Sequence, residues 1–147
     1  MWWKQELTIT RIIILVGIMT VLFAVVMVIT KPFKQFTLSK NRARTNDVNI
    51  LLNAIHQYAT DNNGNLPPQI TTKTQNISSI GADLCPMLIT GGKYLSAIPQ
   101  DPNFNNGAPI VACTTYDTHY MVIRNTDGLV TVSAPSEEDG VVISVSR

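Results

Sequence analysis

His56 and His119 are the only side chains in this 147-residue chain whose ordinary pKa suits proton transfer near neutrality. A nucleophile needs a base and an orienting group close by, and no serine or cysteine motif accompanies either histidine. His56 falls in the middle of a helical pattern and His119 at the mouth of a strand, so both read as half-buried structural residues. The run Glu137-Glu138-Asp139 reads as a solvated turn. Asp101-x-Asn103-x-Asn105 has the opening spacing of a calcium loop, yet Gly107 comes one place late and no glutamate stands at the twelfth position. Asn76-Ile77-Ser78 fits a glycosylation triplet, a pattern that arises often by chance. This inventory predicts no catalytic residue, no cofactor-binding residue, no metal site and no enzymatic activity. No small-molecule substrate is expected.

The elements around these residues say more. From Ile12 to Ile29 the chain is apolar apart from Thr20, bounded by Lys4 and Arg11 on one side and Lys31 and Lys34 on the other. About 18 uncharged residues can cross a hydrocarbon core of about 30 Å when the flanks assist. A secretory signal would carry a shorter apolar core and a small-x-small cleavage site; here the run ends in Val-Ile-Thr-Lys-Pro-Phe. A retained membrane anchor is the expectation, with Trp2 and Trp3 at headgroup level.

Charge divides the chain. Up to Arg44 seven basic residues face Glu6 alone, a balance of +6, and from Thr45 onward four basic residues face nine acidic ones, a balance of −5. The basic cluster Lys31, Lys34, Lys40, Arg42 and Arg44 lacks interleaved aromatics beyond Phe33 and Phe36, which argues against nucleic acid. Attraction to anionic headgroups is the simpler expectation, with membrane lipid as partner.

Val48, Leu51, Leu52, Ile55, Tyr58 and Ala59 fall on one face of a 3.6-residue period, with Asn53, Gln57 and Asp61 opposite. Gly64 suits a left-handed helix stop, and Pro67-Pro68 prevents continuation. Pro32 is the expected kink. Thr71 to Ser79 reads as a polar surface loop, and the pieces Ala82 to Leu88 and Tyr94 to Ile98 as short packed segments. After Cys113 the period becomes two. Strands are expected over Tyr120 to Arg124 and Leu129 to Ser133, joined by a turn at Asn125 to Gly128, and a third carries Val141, Ile143 and Val145 on one buried face. The fold class is α+β: a long N-terminal helix, membrane half plus amphipathic half, packed on a small three- to four-stranded antiparallel sheet. The expected organisation is a short N-terminal segment, 1–11; a transmembrane helix, 12–30; a basic stalk and amphipathic helix, 31–66; and loops with a C-terminal sheet, 67–147, which packs with 45–62 as one globular domain.

Four pieces in this order carry a resemblance: the membrane helix, Arg-x-Arg-x-x-Asp-Val-x-x-Leu-x-x-Ala-Ile-x-x-Tyr from Arg42 to Tyr58, Asp-Asn-x-Gly-x-Leu-Pro from Asp61 to Pro67, and Tyr-Leu-x-x-Ile-Pro-x-Asp-Pro from Tyr94 to Pro102, followed by a closing sheet. The chain resembles the type IV pilin and type II secretion pseudopilin superfamily over nearly its whole length. The resemblance implies a pilin-like structural subunit whose apolar helix sits in a bacterial inner membrane or a filament core, with other pilin or pseudopilin subunits and inner-membrane assembly components as partners. One departure is large. In the best register Leu7-Thr8-Ile9-Thr10-Arg11 occupies the start of the mature family sequence, so Glu6 stands where the family's leader ends in glycine and Arg11 where it keeps a glutamate. Like charges in a low-dielectric core cost several kcal/mol as an order of magnitude. The expectation is an accessory membrane-tethered subunit that keeps its N-terminal segment and forms no filament alone. The alternative is a permanently anchored extracytoplasmic ligand-binding or sensory domain with the same fold.

Cys85 and Cys113 are the only cysteines. As free thiols they would be two buried small residues; as a disulfide they would tie the loop after the helix to the start of the sheet and place the domain outside the cytoplasm. The disulfide is the expectation. The loop-charge rule points the other way, since five basic residues follow the anchor and two precede it. Export is nevertheless expected, giving a single-pass inner-membrane protein with an extracytoplasmic C-terminal domain.

Overall fold

A computed structural model describes residues 8–30 and 32–147, without the side chains of residues 30, 32 and 33. The expectations placed on Trp2, Trp3, Lys4, Glu6, Leu7 and Lys31 lie outside the described residues, and so does the junction at residue 31 on which the expected kink at Pro32 turns. The chain divides into two compact units, the first ending at Phe36 and the second running Thr37–Arg147.

Helix α1 spans Ile9–Thr30, 22 residues or about 33 Å at 1.5 Å per residue. Its described side chains are all exposed. The one polar side chain within the run, Thr20, donates its hydroxyl to the Gly17 carbonyl at 2.8 Å, so it needs no outside partner in an apolar medium.

Helix α2 spans Pro32–Asp61, and from Thr37 it belongs to the second unit. Val48, Leu51, Leu52, Ala54, Ile55 and Ala59 are buried, while Asn53, Gln57 and Asp61 are exposed, as the period requires. The helix ends where glycine allows it to: Gly64 takes a φ of +83° and donates to the Ala59 carbonyl at 2.7 Å.

Against that face lies a four-stranded antiparallel sheet in the order β1 (Gln75–Ser78), β2 (Asp117–Arg124), β3 (Val130–Ser133), β4 (Ser144–Ser146). Tyr120, Val122, Val130 and Val132 close on the helix residues to make the core. A short helix α3, Cys85–Ile89, adds Cys85 and Leu88, and the residue before it adds Leu84. The α+β expectation holds in these terms.

Three local expectations are corrected. Gln75 to Ser78 is a strand rather than surface loop, with Ile77 fully buried; its alternation is masked by polar neighbours, and pairing with β2 supplies what its own propensity does not. Val141 is 46% exposed, because the last strand starts only at Ser144 and, of the three residues expected on its inner face, Ile143 is buried and Val145 partly so. The globular unit also takes in residues 37–44, upstream of the expected boundary at 45, since Asn41 and Arg44 are buried in it.

β2 is bulged. Ser78 pairs with Asp117 but Asn76 with Met121, so Ile77 alone faces three residues of β2. Thr118 bridges the gap, donating to the Ile77 carbonyl at 2.8 Å and accepting from the Tyr120 amide at 3.1 Å. His119 takes a φ of +61° within the bulge and stacks on Phe104, ring centroids 3.4 Å apart.

Candidate functional site

Two features answer to function in this chain, and each lies within its own unit. The first is α1, whose apolar surface nothing in the described structure covers. It is long and apolar enough to cross a membrane, which is weak evidence by itself because a signal sequence passes the same test.

The second is a buried polar clamp in the globular unit. Arg44 and Asp101 are both fully buried and joined by two hydrogen bonds, Nε to Oδ2 at 2.8 Å and Nη2 to Oδ1 at 3.1 Å. The third guanidinium nitrogen, Nη1, donates to Asn41 Oδ1 at 2.8 Å. Asn41 in turn donates to the Glu138 carbonyl at 2.8 Å and accepts from the Glu138 amide at 3.2 Å. Glu138 Oε1 takes a hydrogen bond from Asn103 at 3.1 Å and lies 3.6 Å from Arg44 and 3.7 Å from Lys40. One guanidinium thus fastens the start of the unit's helix to the 99–107 loop and to the 134–143 segment.

The charges adjust to this arrangement. Burial disfavours the Arg44 cation, but Asp101 and then Glu138 more than offset it, and its pKa is raised. The hydrogen bond from Asn103, with Lys40 and Arg44 nearby, lowers the Glu138 carboxyl below its usual range. Asp47 accepts from the Tyr120 hydroxyl at 2.8 Å; burial raises the Asp47 pKa against that bond, and burial and Asp47 together push the Tyr120 phenol up.

These contacts correct one expectation and account for the residues of the 101–105 pattern. Arg44 does not belong to a headgroup-facing cluster: it is withdrawn into the core, and Lys40 leans on Glu138, leaving Lys34 and Arg42 exposed. The Asp101-x-Asn103-x-Asn105 pattern does not open toward a cation, because Asp101 holds Arg44 and the Asn103 amide group donates to Glu138. A signal for Arg44 and Asn41 was present, since they precede Val48 by four and seven residues and so lie on the apolar face of α2.

Cys85 and Cys113 are bonded, with Cα atoms 5.4 Å apart. Tyr116 supports the bridge: its hydroxyl accepts from the Cys85 amide at 3.1 Å and donates to Asp83 at 2.8 Å. The remaining candidates stay apart. His56 is half-buried on α2, and the glycosylation triplet's Asn76 is engaged, its amide donating to both oxygens of Asp117 at 2.8 and 2.9 Å. Among the described residues no three His, Cys, Asp or Glu side chains gather as metal ligands. An open recess of about 270 Å³ is lined by Gln57, Thr60, Asp61, Lys93 and Tyr94. Its charges satisfy each other, Lys93 to Asp61 at 2.7 Å with Tyr94 donating to the same carboxylate at 3.1 Å.

No family model, no curated protein and no solved structure matches this chain.

Proposed function

We propose that this chain is a non-enzymatic, pilin-like structural subunit, held in a bacterial inner membrane by α1 with its sheet domain on the extracytoplasmic side. The observation that carries the reading is the pairing of an uncovered 22-residue apolar helix with an amphipathic helix whose buried face closes on a small antiparallel sheet. A chain whose most apolar segment takes no part in its own core has reserved that segment for another apolar medium. The disulfide supports the side of the membrane, because such bonds persist outside the reducing cytoplasm. The partners are membrane lipid and other pilin or pseudopilin subunits with their inner-membrane assembly components.

Arg11 gives the subunit an accessory role. A positive side chain at that depth of α1 repels its own copies in a filament core and pairs with an acidic residue of a different subunit, or reaches the headgroups. Carbonate washing and flotation test the anchor; mass measurement of the membrane-isolated protein and electron microscopy test the accessory role. Trimming before Leu7, or filaments formed by this chain alone, would overturn that role. In a host with the matching peptidase, Glu6→Gly with Arg11→Glu is expected to raise processing and assembly together.

A further inference from the structure

Glycine follows an asparagine or an aspartate at four places in this chain: Asn63-Gly64, Asn106-Gly107, Asp127-Gly128 and Asp139-Gly140. At such a step the main chain can rearrange without an enzyme, because glycine has no Cβ to keep its nitrogen away from the side-chain carbonyl carbon of the residue before it. Attack there closes a cyclic imide. In an unfolded chain the asparagine steps lead, since ammonia leaves directly whereas an aspartate must first take up a proton. The fold changes that order.

Three of the four glycine nitrogens are committed. Gly64 donates to the Ala59 carbonyl at 2.7 Å, Gly107 to the Phe104 carbonyl at 2.9 Å and Gly128 to the Asn125 carbonyl at 3.0 Å. To attack, a nitrogen must lose its proton and turn its peptide plane toward the side chain, and a hydrogen bond of that length opposes both. The Asp127 carboxylate is held as well, accepting from the Leu129 amide at 3.1 Å. Asp139-Gly140 differs on each count. Both residues are exposed, and among the described residues neither the Gly140 amide nor the Asp139 carboxylate has a hydrogen-bond partner. They take left-handed backbone, φ +61° and +67°, in a turn that precedes β4, so no ladder bond resists their rotation. The bond across the turn, from the Val141 amide to the Glu138 carbonyl, is long at 3.5 Å.

We propose that Asp139-Gly140 is a modification site, where the aspartate converts spontaneously to isoaspartate. The Gly140 nitrogen bonds to Cγ of the protonated Asp139 carboxyl, the carboxyl C–O bond breaks, and its hydroxyl leaves as water with the proton from the nitrogen. Water then opens the imide at the former α-carbonyl. That carbonyl becomes a free carboxylate, and the main chain now runs through Cβ and Cγ. No atom is gained or lost overall, and nothing is oxidised. The added backbone carbon falls between two fixed points: Glu138, held by Asn41 at its amide and carbonyl, and the buried Ile143, whose carbonyl accepts from Ala134 at 2.9 Å. It lengthens the link between the Arg44 clamp and the last strand.

The test ages the full chain, oxidised and in detergent, beside a sample unfolded in urea, and maps the peptides of both. Conversion of an asparagine raises the mass of its peptide. Isomerisation of an aspartate leaves the mass unchanged, shifts the elution, and makes the digested peptide a substrate for isoaspartate methyltransferase. The unfolded sample is expected to react first at Asn63 and Asn106, and the folded protein first at Asp139. Asp139→Glu, whose longer side chain would have to close a larger ring, is expected to remove most of the methyl label from the folded protein. Folded protein that reacts first at Asn63, Asn106 or Asp127, or at none of the four while the unfolded sample reacts, overturns the proposal. So does a methyl label that survives undiminished in Asp139→Glu.

Discussion

Arg44 and Asp101, 57 residues apart in sequence, meet through two hydrogen bonds of 2.8 and 3.1 Å with neither side chain reaching solvent. Removing one partner strands the other charge in the core, at a cost of about 3–5 kcal/mol, whereas replacing both with apolar groups of similar volume costs far less. Arg44→Ala is expected to lose most of the domain's stability, and Arg44→Met with Asp101→Leu to recover much of it. Chemical denaturation of the full chain in detergent measures both. An Arg44→Ala protein as stable as the parent would mean that the clamp is incidental.

The disulfide closes a loop with a sequence separation of 28. Replacing Cys85 and Cys113 together with alanine is expected to cost about 3–4 kcal/mol in the chain-entropy account. The same loss should follow reduction of the parent, read as a fall in denaturation midpoint. Agreement between the two measurements would separate the crosslink from side-chain packing.

Two carboxylates set opposite slopes in acid. The Glu138 pKa is lowered on folding, so its contribution is present above the ordinary carboxylate value of about 4.3 and is lost as the pH falls through the folded value. Asp47 is raised on folding, so the folded state takes up its proton first and gains stability relative to neutral pH as the solution is acidified. Glu138→Gln should flatten the loss of thermal stability between pH 6 and pH 3, an interval of about 3 units around the ordinary carboxylate value. Asp47→Asn should steepen it while raising stability at neutral pH. Equal slopes in the two variants would remove the electrostatic account.

Ending the chain after Gly140 deletes Ile143 from the core and the strand that pairs with Val130 to Ser133. It also strips Asn53 of its hydrogen bond from Arg147 at 2.9 Å. The expected result is loss of a cooperative melt by circular dichroism. A sharp transition that survived would show β4 to be dispensable.

The helices were legible in the sequence because their signals are local. An uninterrupted apolar run needs no knowledge of the rest of the chain, and a 3.6-residue period from Val48 to Ala59 names its own buried face. The β2–β3 hairpin was legible for the same reason, with Asn125 to Gly128 as its turn. Two cysteines that lie on opposite sides of one loop left a single pairing to consider.

The tertiary structure decided what depends on distant partners. Gln75 to Ser78 is a strand because β2 lies beside it, and a strand so short and polar carries little preference of its own. Alternation assigns Val141 to the core because it cannot say where a strand begins; the turn at Asp139-Gly140 decides that. Sequence makes Arg44 a surface cation because a charge is buried only when its partner arrives, and Asp101 arrives from a loop that sequence order places far away. Local patterning thus determined the helices and the β2–β3 hairpin, while the edge strand β1 and the burial of charge, which require distant groups to meet in one place, were settled only by folding.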